Sequence, residues 1–311
     1  MTTKESDGYD RAMMLLPYEL RERFRHVLRQ DRLRAEELRL RTGRTPTVLL
    51  PDGELDLGGA AVRTEDIEKT LDIVTRASIH AAAESIRMGF LTAQGGFRVG
   101  LCGSAITTGG RVDMLWSISS VCIRIPHAVT GIAEEVLPRL CSGGTFESTL
   151  LLSPPGGGKT TLLRDIVRLL SDGSAGLGVR PHRVALADER GEVAAMYGGA
   201  AQHDVGAHTD VMDMCPKAQA VTMMLRAMNP EVIAVDEITA PADAEVMISA
   251  SGCGAALLAT AHAKNVHTLN EKEVYRRLLN AGVFRNVVTI TVEGGCRCYR
   301  TERLPVSGGT Q

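Results

Sequence analysis

Residues 150–170, LLLSPPGGGKTTLLRDIVRLL, pass from three leucines through two prolines and three glycines into an amphipathic helical pattern. A buried strand, a glycine-rich loop and a helix in immediate succession commit this part of the chain to an α/β architecture built around a phosphate-binding loop, a P-loop. The loop comprises Ser153, Pro154, Pro155, Gly156, Gly157, Gly158, Lys159, Thr160 and Thr161. Backbone N–H groups from Gly156 through Thr161, with the start of the following helix, suit a triphosphate; Lys159 suits its terminal phosphates and Thr160 suits Mg2+. ATP and Mg2+ are the expected cofactors. Ser153 stands where the GxxxxGK[ST] pattern has its first glycine. Pro154 and Pro155 lack N–H donors, but they precede the glycines that supply them and stiffen the approach to the loop.

Three further apolar segments end in polar groups. In NPEVIAVDEI the strand delivers Asp236 and Glu237, the first expected to hold Mg2+ together with Thr160 and the second to polarise an attacking water. RVALADERGEV ends in Asp188, Glu189, Arg190 and Glu192, and AALLATAHAKN in Thr260 and His262. Ligands of open α/β sheets bind at the carboxyl ends of the strands, so these groups are candidates for one site.

From Thr149 onward, apolar strands alternate with helical patterns over residues 218–228, 242–251 and 268–280, which implies a mostly parallel sheet covered on both faces. Before it lies a smaller mixed α+β domain. Its expected elements are a helix over 17–33, a strand pair in LRLRTGRTPTVLLPDGEL and a helix over 63–82 capped by Thr64. Glycine-split hairpins in FLTA, FRVGL and AIT follow, then the strand SSVCIRIP and a helix within residues 127–146. The expected domains are 1–130 and 131–311, with a frayed tail over VSGGTQ.

No apolar run among the 311 residues reaches the length of a membrane span, and the charged N-terminal segment lacks the pattern of a signal peptide. Seven cysteines without paired CxxC spacing fit reduced thiols; Cys296 and Cys298 share one face of a strand and form at most part of a metal site. A net charge of −2 excludes a global pull toward nucleic acid or anionic lipid. Locally, the nine arginines from Arg21 to Arg44 make a basic island. A solvated face, a docking surface for a membrane or channel protein, and a nucleic-acid surface are its alternative readings; Phe24 is its sole aromatic, leaving little for base stacking.

The ordered set of P-loop, DERGE, VDE and ATAHA resembles the type II/type IV secretion ATPase superfamily, with its acidic box, Walker B and histidine box. Asp236 stands where many of those motors have glycine. The resemblance implies a RecA-like core, roles for Glu189 and His262, and arginines from the N-terminal domain directed to the γ-phosphate, with Arg124 in CIRIP first and Arg98 in GGFRVG second. Arg226 is a further candidate for facing the nucleotide or a neighbouring subunit. A narrower match, through ELRLRTGRTP, GFLTAQGGFRVGLCG, SSVCIRIPHAVTG and LADERGEVAA, is to the endospore-formation ATPases within it. That likeness implies a cytoplasmic motor, a homo-hexamer whose N-terminal domain serves oligomerisation and docking. Its partner would be the cytoplasmic segment of a membrane channel complex between mother cell and forespore. The alternatives are a nucleic-acid-binding RecA-like ATPase and a scaffold that binds ATP with little turnover.

Overall fold

In a computed structural model of the chain, residues 5–76, 83–126, 129–294 and 296–305 are described. The chain divides into two compact units, Met1–Ala128 with Ala195–Gln202, and Val129–Ala194 with His203–Gln311.

The first unit begins with three short helices, α1 (Glu5–Met13), α2 (Tyr18–Phe24) and α3 (Arg29–Arg32). The helix expected over 17–33 is therefore broken. Leu28 is extended, and Arg32 Nε donates to the carbonyl of Val27 at 2.8 Å, satisfying a group that the break exposes. Next come β1 (Glu37–Arg41), β2 (Thr47–Leu50), β3 (Gly53–Asp56), α4 (Thr64–Thr75), α5 (Ala83–Arg87), β4 (Phe90–Ala93), β5 (Phe97–Thr108) and β6 (Arg111–Arg124).

At the start of α4, the cap position falls to Arg63 rather than Thr64, and the Asp66 carboxylate accepts from the Arg63 N–H at 2.9 Å. The helix stops at Arg76, which is left-handed at φ 50, and residues 77–82 of the expected helix lie outside the described residues. The six strands form one antiparallel sheet in the order β3-β2-β1-β6-β5-β4. Leu38, Leu40, Val99, Val121 and Ile123 pack inward with Tyr9, Phe24 and Ile67. FRVGL and AIT are one strand instead of a hairpin. The register shifts near Gly103 absorb the irregularity, and a Cβ there would meet the Ser117 carbonyl.

The second unit has no α-helix over the described part of residues 127–146. Turns lead to one 3-10 turn, Leu137–Leu140, and to the short strands β7 (Cys141–Ser142) and β8 (Thr145–Phe146). Pro138 would interrupt an α-helix running through it, and Gly131, Gly143 and Gly144, at positive φ, bound the segment.

The chain continues with β9 (Thr149–Ser153), α6 (Lys159–Asp172), β10 (Val184–Asp188), β11 (Met196–Tyr197) and β12 (Ala200–Ala201), the last two belonging to the first unit. The elements β13 (Thr209–Asp213), α7 (Lys217–Ala227), β14 (Val232–Val235), α8 (Pro241–Gly252), β15 (Ala256–His262), α9 (Val266–Asn270), α10 (Glu273–Asn280), β16 (Asn286–Glu293) and β17 (Cys296–Arg303) follow. Seven strands are ordered β13-β10-β14-β15-β9-β16-β17, parallel except for β17, which runs antiparallel to β16. Every residue of β9, β10 and β14 is buried, which explains their unbroken apolar sequence. The tail 306–311 lies outside the described residues.

Burial, reinforced by the charge of Arg164, holds His203 down to about 4. The unfolded chain takes up a proton near the ordinary imidazole pKa of about 6.5 that the folded chain refuses. Stability from this group is therefore complete above that pH and is lost as pH falls toward about 4. Thermal unfolding is expected to show a loss of about 2 kcal/mol between about pH 7 and pH 5, flattened by His203→Gln. An identical pH profile in the variant would count against this assignment.

Candidate functional site

Because β9, β10, β14 and β15 are parallel, their carboxyl ends share one edge of the sheet, where a cleft of about 380 Å3 opens. The loop after β9 forms one wall. Gly156 and Gly158 are left-handed at φ 75 and 98, a conformation that turns successive amides inward and favours glycine. Ser153 is fully buried, and its hydroxyl donates to the Pro154 carbonyl at 2.7 Å. That hydroxyl fills the space where a Cβ on Gly157 would sit, so the serine in place of glycine is matched by a glycine further along the loop.

Lys159, 7% exposed, opens α6 and points its Nζ at the Ser153 carbonyl (3.3 Å) and at Nδ1 of His262 (2.8 Å). Burial lowers its pKa, opposed by the charges of Asp236 and Glu237. An ammonium only donates, so Nδ1 of His262 accepts and these partners assign the ring proton to Nε2. Nε2 lies 3.3 Å from Oε1 of Glu237. Lys159, His262 and Glu237 thus form one chain of contacts across the cleft.

A second chain starts at Thr160, whose hydroxyl donates to Oδ2 of Asp236 at 3.0 Å. Oδ1 of Asp236 accepts from the Thr260 hydroxyl at 2.8 Å, and the same hydroxyl accepts from the Glu237 N–H at 2.9 Å. Thr260 is fully buried and so ties both acids to the end of β15. Glu237 itself is left-handed at φ 53. Among the described residues, no three His, Cys, Asp or Glu side chains converge as a metal cage. The hard oxygens of Thr160 and Asp236 nevertheless fit Mg2+, which keeps waters and substrate phosphates as its other ligands.

Asp188 does different work from its neighbours. It is buried, which raises its pKa, and its carboxylate accepts from the amides of Glu192, Val193 and Ala194. Arg164 of α6, its pKa lowered by burial, donates to the carbonyls of Glu192 and Val193. Together they pin the loop that brings Glu189, Arg190 and Glu192 to the cleft. Glu189 pairs with buried Lys217 from the start of α7, and Arg190 lies 3.6 Å from Glu237.

The cleft therefore gathers the loop glycines, Lys159, Thr160, Thr161, Glu189, Asp236, Glu237 and His262. Arg124 belongs to the other unit, where it is largely exposed and lies 3.3 Å from Glu37. Arg98, of the same unit, stacks over the Phe90 ring, and Arg226 is exposed on α7. Cys296 and Cys298 are exposed free thiols. Sequence reasoning missed Arg164, Lys217 and Arg297; for Lys217 the signal was a lysine at a helix start beside an acidic loop.

The family model for sporulation stage III, protein AA, matches residues 12–300. The stage III sporulation protein AA of Bacillus subtilis (strain 168) is 36% identical over 270 residues, covering 87% of each chain. Among solved structures, the pilus retraction motor PilT with bound ADP aligns with a TM-score of 0.61 at 14% identity, over 87% of this chain and 80% of that one. The Legionella pneumophila ATPase DotB aligns at 0.55 and 14% identity, over 88% and 78%. The α/β fold with a RecA-like P-loop core, preceded by a mixed α+β region, is thus shared with secretion and pilus ATPases.

Proposed function

The chain belongs to the sporulation stage III protein AA family, and from that premise we propose that it is a Mg2+-dependent ATPase acting as a ring-forming motor for a membrane channel or secretion-like complex during endospore formation. The observation that carries the reading is the pair of contact chains in one cleft, Lys159–His262–Glu237 and Thr160–Asp236–Thr260. The loop amides and Lys159 bind and orient a polyphosphate, and Thr160 and Asp236 would hold Mg2+; Glu237 takes the proton of a water that attacks the γ-phosphoryl group as its bond to the departing ADP breaks, while His262 holds the Glu237 carboxylate in place. Bound Mg2+ would supply charge neutralisation between the phosphates.

A homo-hexamer would bring Arg124 or Arg98 to a neighbour's γ-phosphate. The proposed location is cytoplasmic, peripherally docked on the cytoplasmic segment of a membrane complex protein. No helix among the described residues is long and apolar enough to cross a membrane.

Local partners of five of the nine arginines in the basic island favour the motor reading over a nucleic-acid surface. Arg21 donates to the carbonyls of Met14 and Leu16, Arg23 to those of Gly58 and Ala60, and Arg34, Arg39 and Arg41 face Asp52, Glu37 and Glu54. These five guanidiniums have partners within the fold.

Size by light scattering and phosphate release should be measured together, with ATP and Mg2+. ATP-dependent growth to a hexameric particle with hydrolysis stopped by EDTA is expected. No phosphate release above buffer would sink the enzymatic reading, and a monomer that hydrolyses ATP would sink the ring.

A further inference from the structure

In the sequence, Arg297 is only the residue between two cysteines. In the folded chain it projects from β17, the last strand of the sheet, and its Nε donates to the Gly157 carbonyl at 3.2 Å. The side chain lines the same cleft as Lys159 and Thr160. Gly158, at φ 98, makes room for it: a Cβ there would come within 2.7 Å of the Arg297 Nε. The arginine and the glycine run are therefore fitted to each other across 140 residues of sequence.

A trans peptide is planar, so the C=O of residue 157 and the N–H of residue 158 point in opposite directions. Holding the Gly157 carbonyl from one side fixes the aim of the Gly158 N–H toward the other, where a P-loop receives phosphate. A guanidinium carries five N–H donors in a rigid fork, so the bond from Nε leaves the terminal nitrogens for an anion. Among the other cleft cations, Lys217 is paired with Glu189 and Arg190 lies near Glu237, whereas Arg297, like Lys159, makes its contact here to a neutral backbone carbonyl.

We propose that Arg297 is a polyphosphate-binding and loop-positioning residue, holding the Gly157 carbonyl with one edge of its guanidinium and contacting the bound phosphates with the other. The inference rests on the nucleotide reading above and adds to it a cation from the far end of the chain.

The test is a titration of the full chain with the fluorescent analogues mant-ATP and mant-ADP in Mg2+, alongside melting of the nucleotide-free protein. Arg297→Met keeps the aliphatic stem, so it carries the test even if Arg297→Ala disturbs the strand. Both variants are expected to bind either nucleotide about ten- to hundredfold more weakly, with unchanged melting in Arg297→Met. Arg297→Lys should recover only part of the loss, because an ammonium lacks the fork. Wild-type affinity in Arg297→Met would reduce Arg297 to packing and overturn the proposal; full recovery by lysine would overturn the loop-positioning role. Absence of binding by the wild-type chain would instead defeat the nucleotide reading itself, and this proposal with it.

Discussion

Lys159→Met is expected to weaken ATP binding by at least about a hundredfold while leaving the melting temperature close to wild type. Lys159 is buried, so its stem contributes packing that methionine retains, while its ammonium bears a desolvation cost that methionine avoids. What disappears is a charge placed between the Ser153 carbonyl and His262 at the mouth of the loop. Isothermal titration with ATP and Mg2+ measures it directly. Affinity within a few-fold of wild type would mean that the loop does not use this lysine for phosphate.

The second large effect concerns chemistry rather than binding. Glu237→Gln preserves the shape of the side chain and its place beside Nε2 of His262, but a neutral amide cannot take a proton from water. Turnover should fall by about a hundred- to ten-thousandfold with ATP affinity retained. Phosphate release under single-turnover conditions separates the two quantities. A scaffold that binds ATP without using it would show no change on this substitution, so equal rates would favour that reading over a motor.

Much of the site was legible because its parts are local. A P-loop is nine consecutive residues, and each further acid or histidine follows directly on an apolar strand. Once those strands are parallel, their ends share an edge without further information, which is why Asp236, Glu237 and His262 meet the loop. Lys217 and Arg297 were not legible in the same way. One reaches Glu189 across 28 residues and the other reaches Gly157 across 140, and neither separation has a sequence signature. Asp188 was legible as an acid at a strand end, but not as the anchor of three backbone amides, since that depends on the turn the next residues make. In the first unit, the glycines of GFLTAQGGFRVGLCGS suggested turns where Gly103 instead permits close approach within a continuous strand. The helix expected near residue 137 failed because proline and left-handed glycines outweigh the apolar periodicity.

The backbone at Glu237 sets stability against activity. A residue with a Cβ in the left-handed region carries about 1–2 kcal/mol that glycine would not. Natural variation or engineering that rewards robustness alone would therefore drift toward glycine at this position, which would remove the proposed base while making the chain harder to melt. Keeping glutamate there means tolerating a thermodynamic handicap at the position proposed to accept the proton.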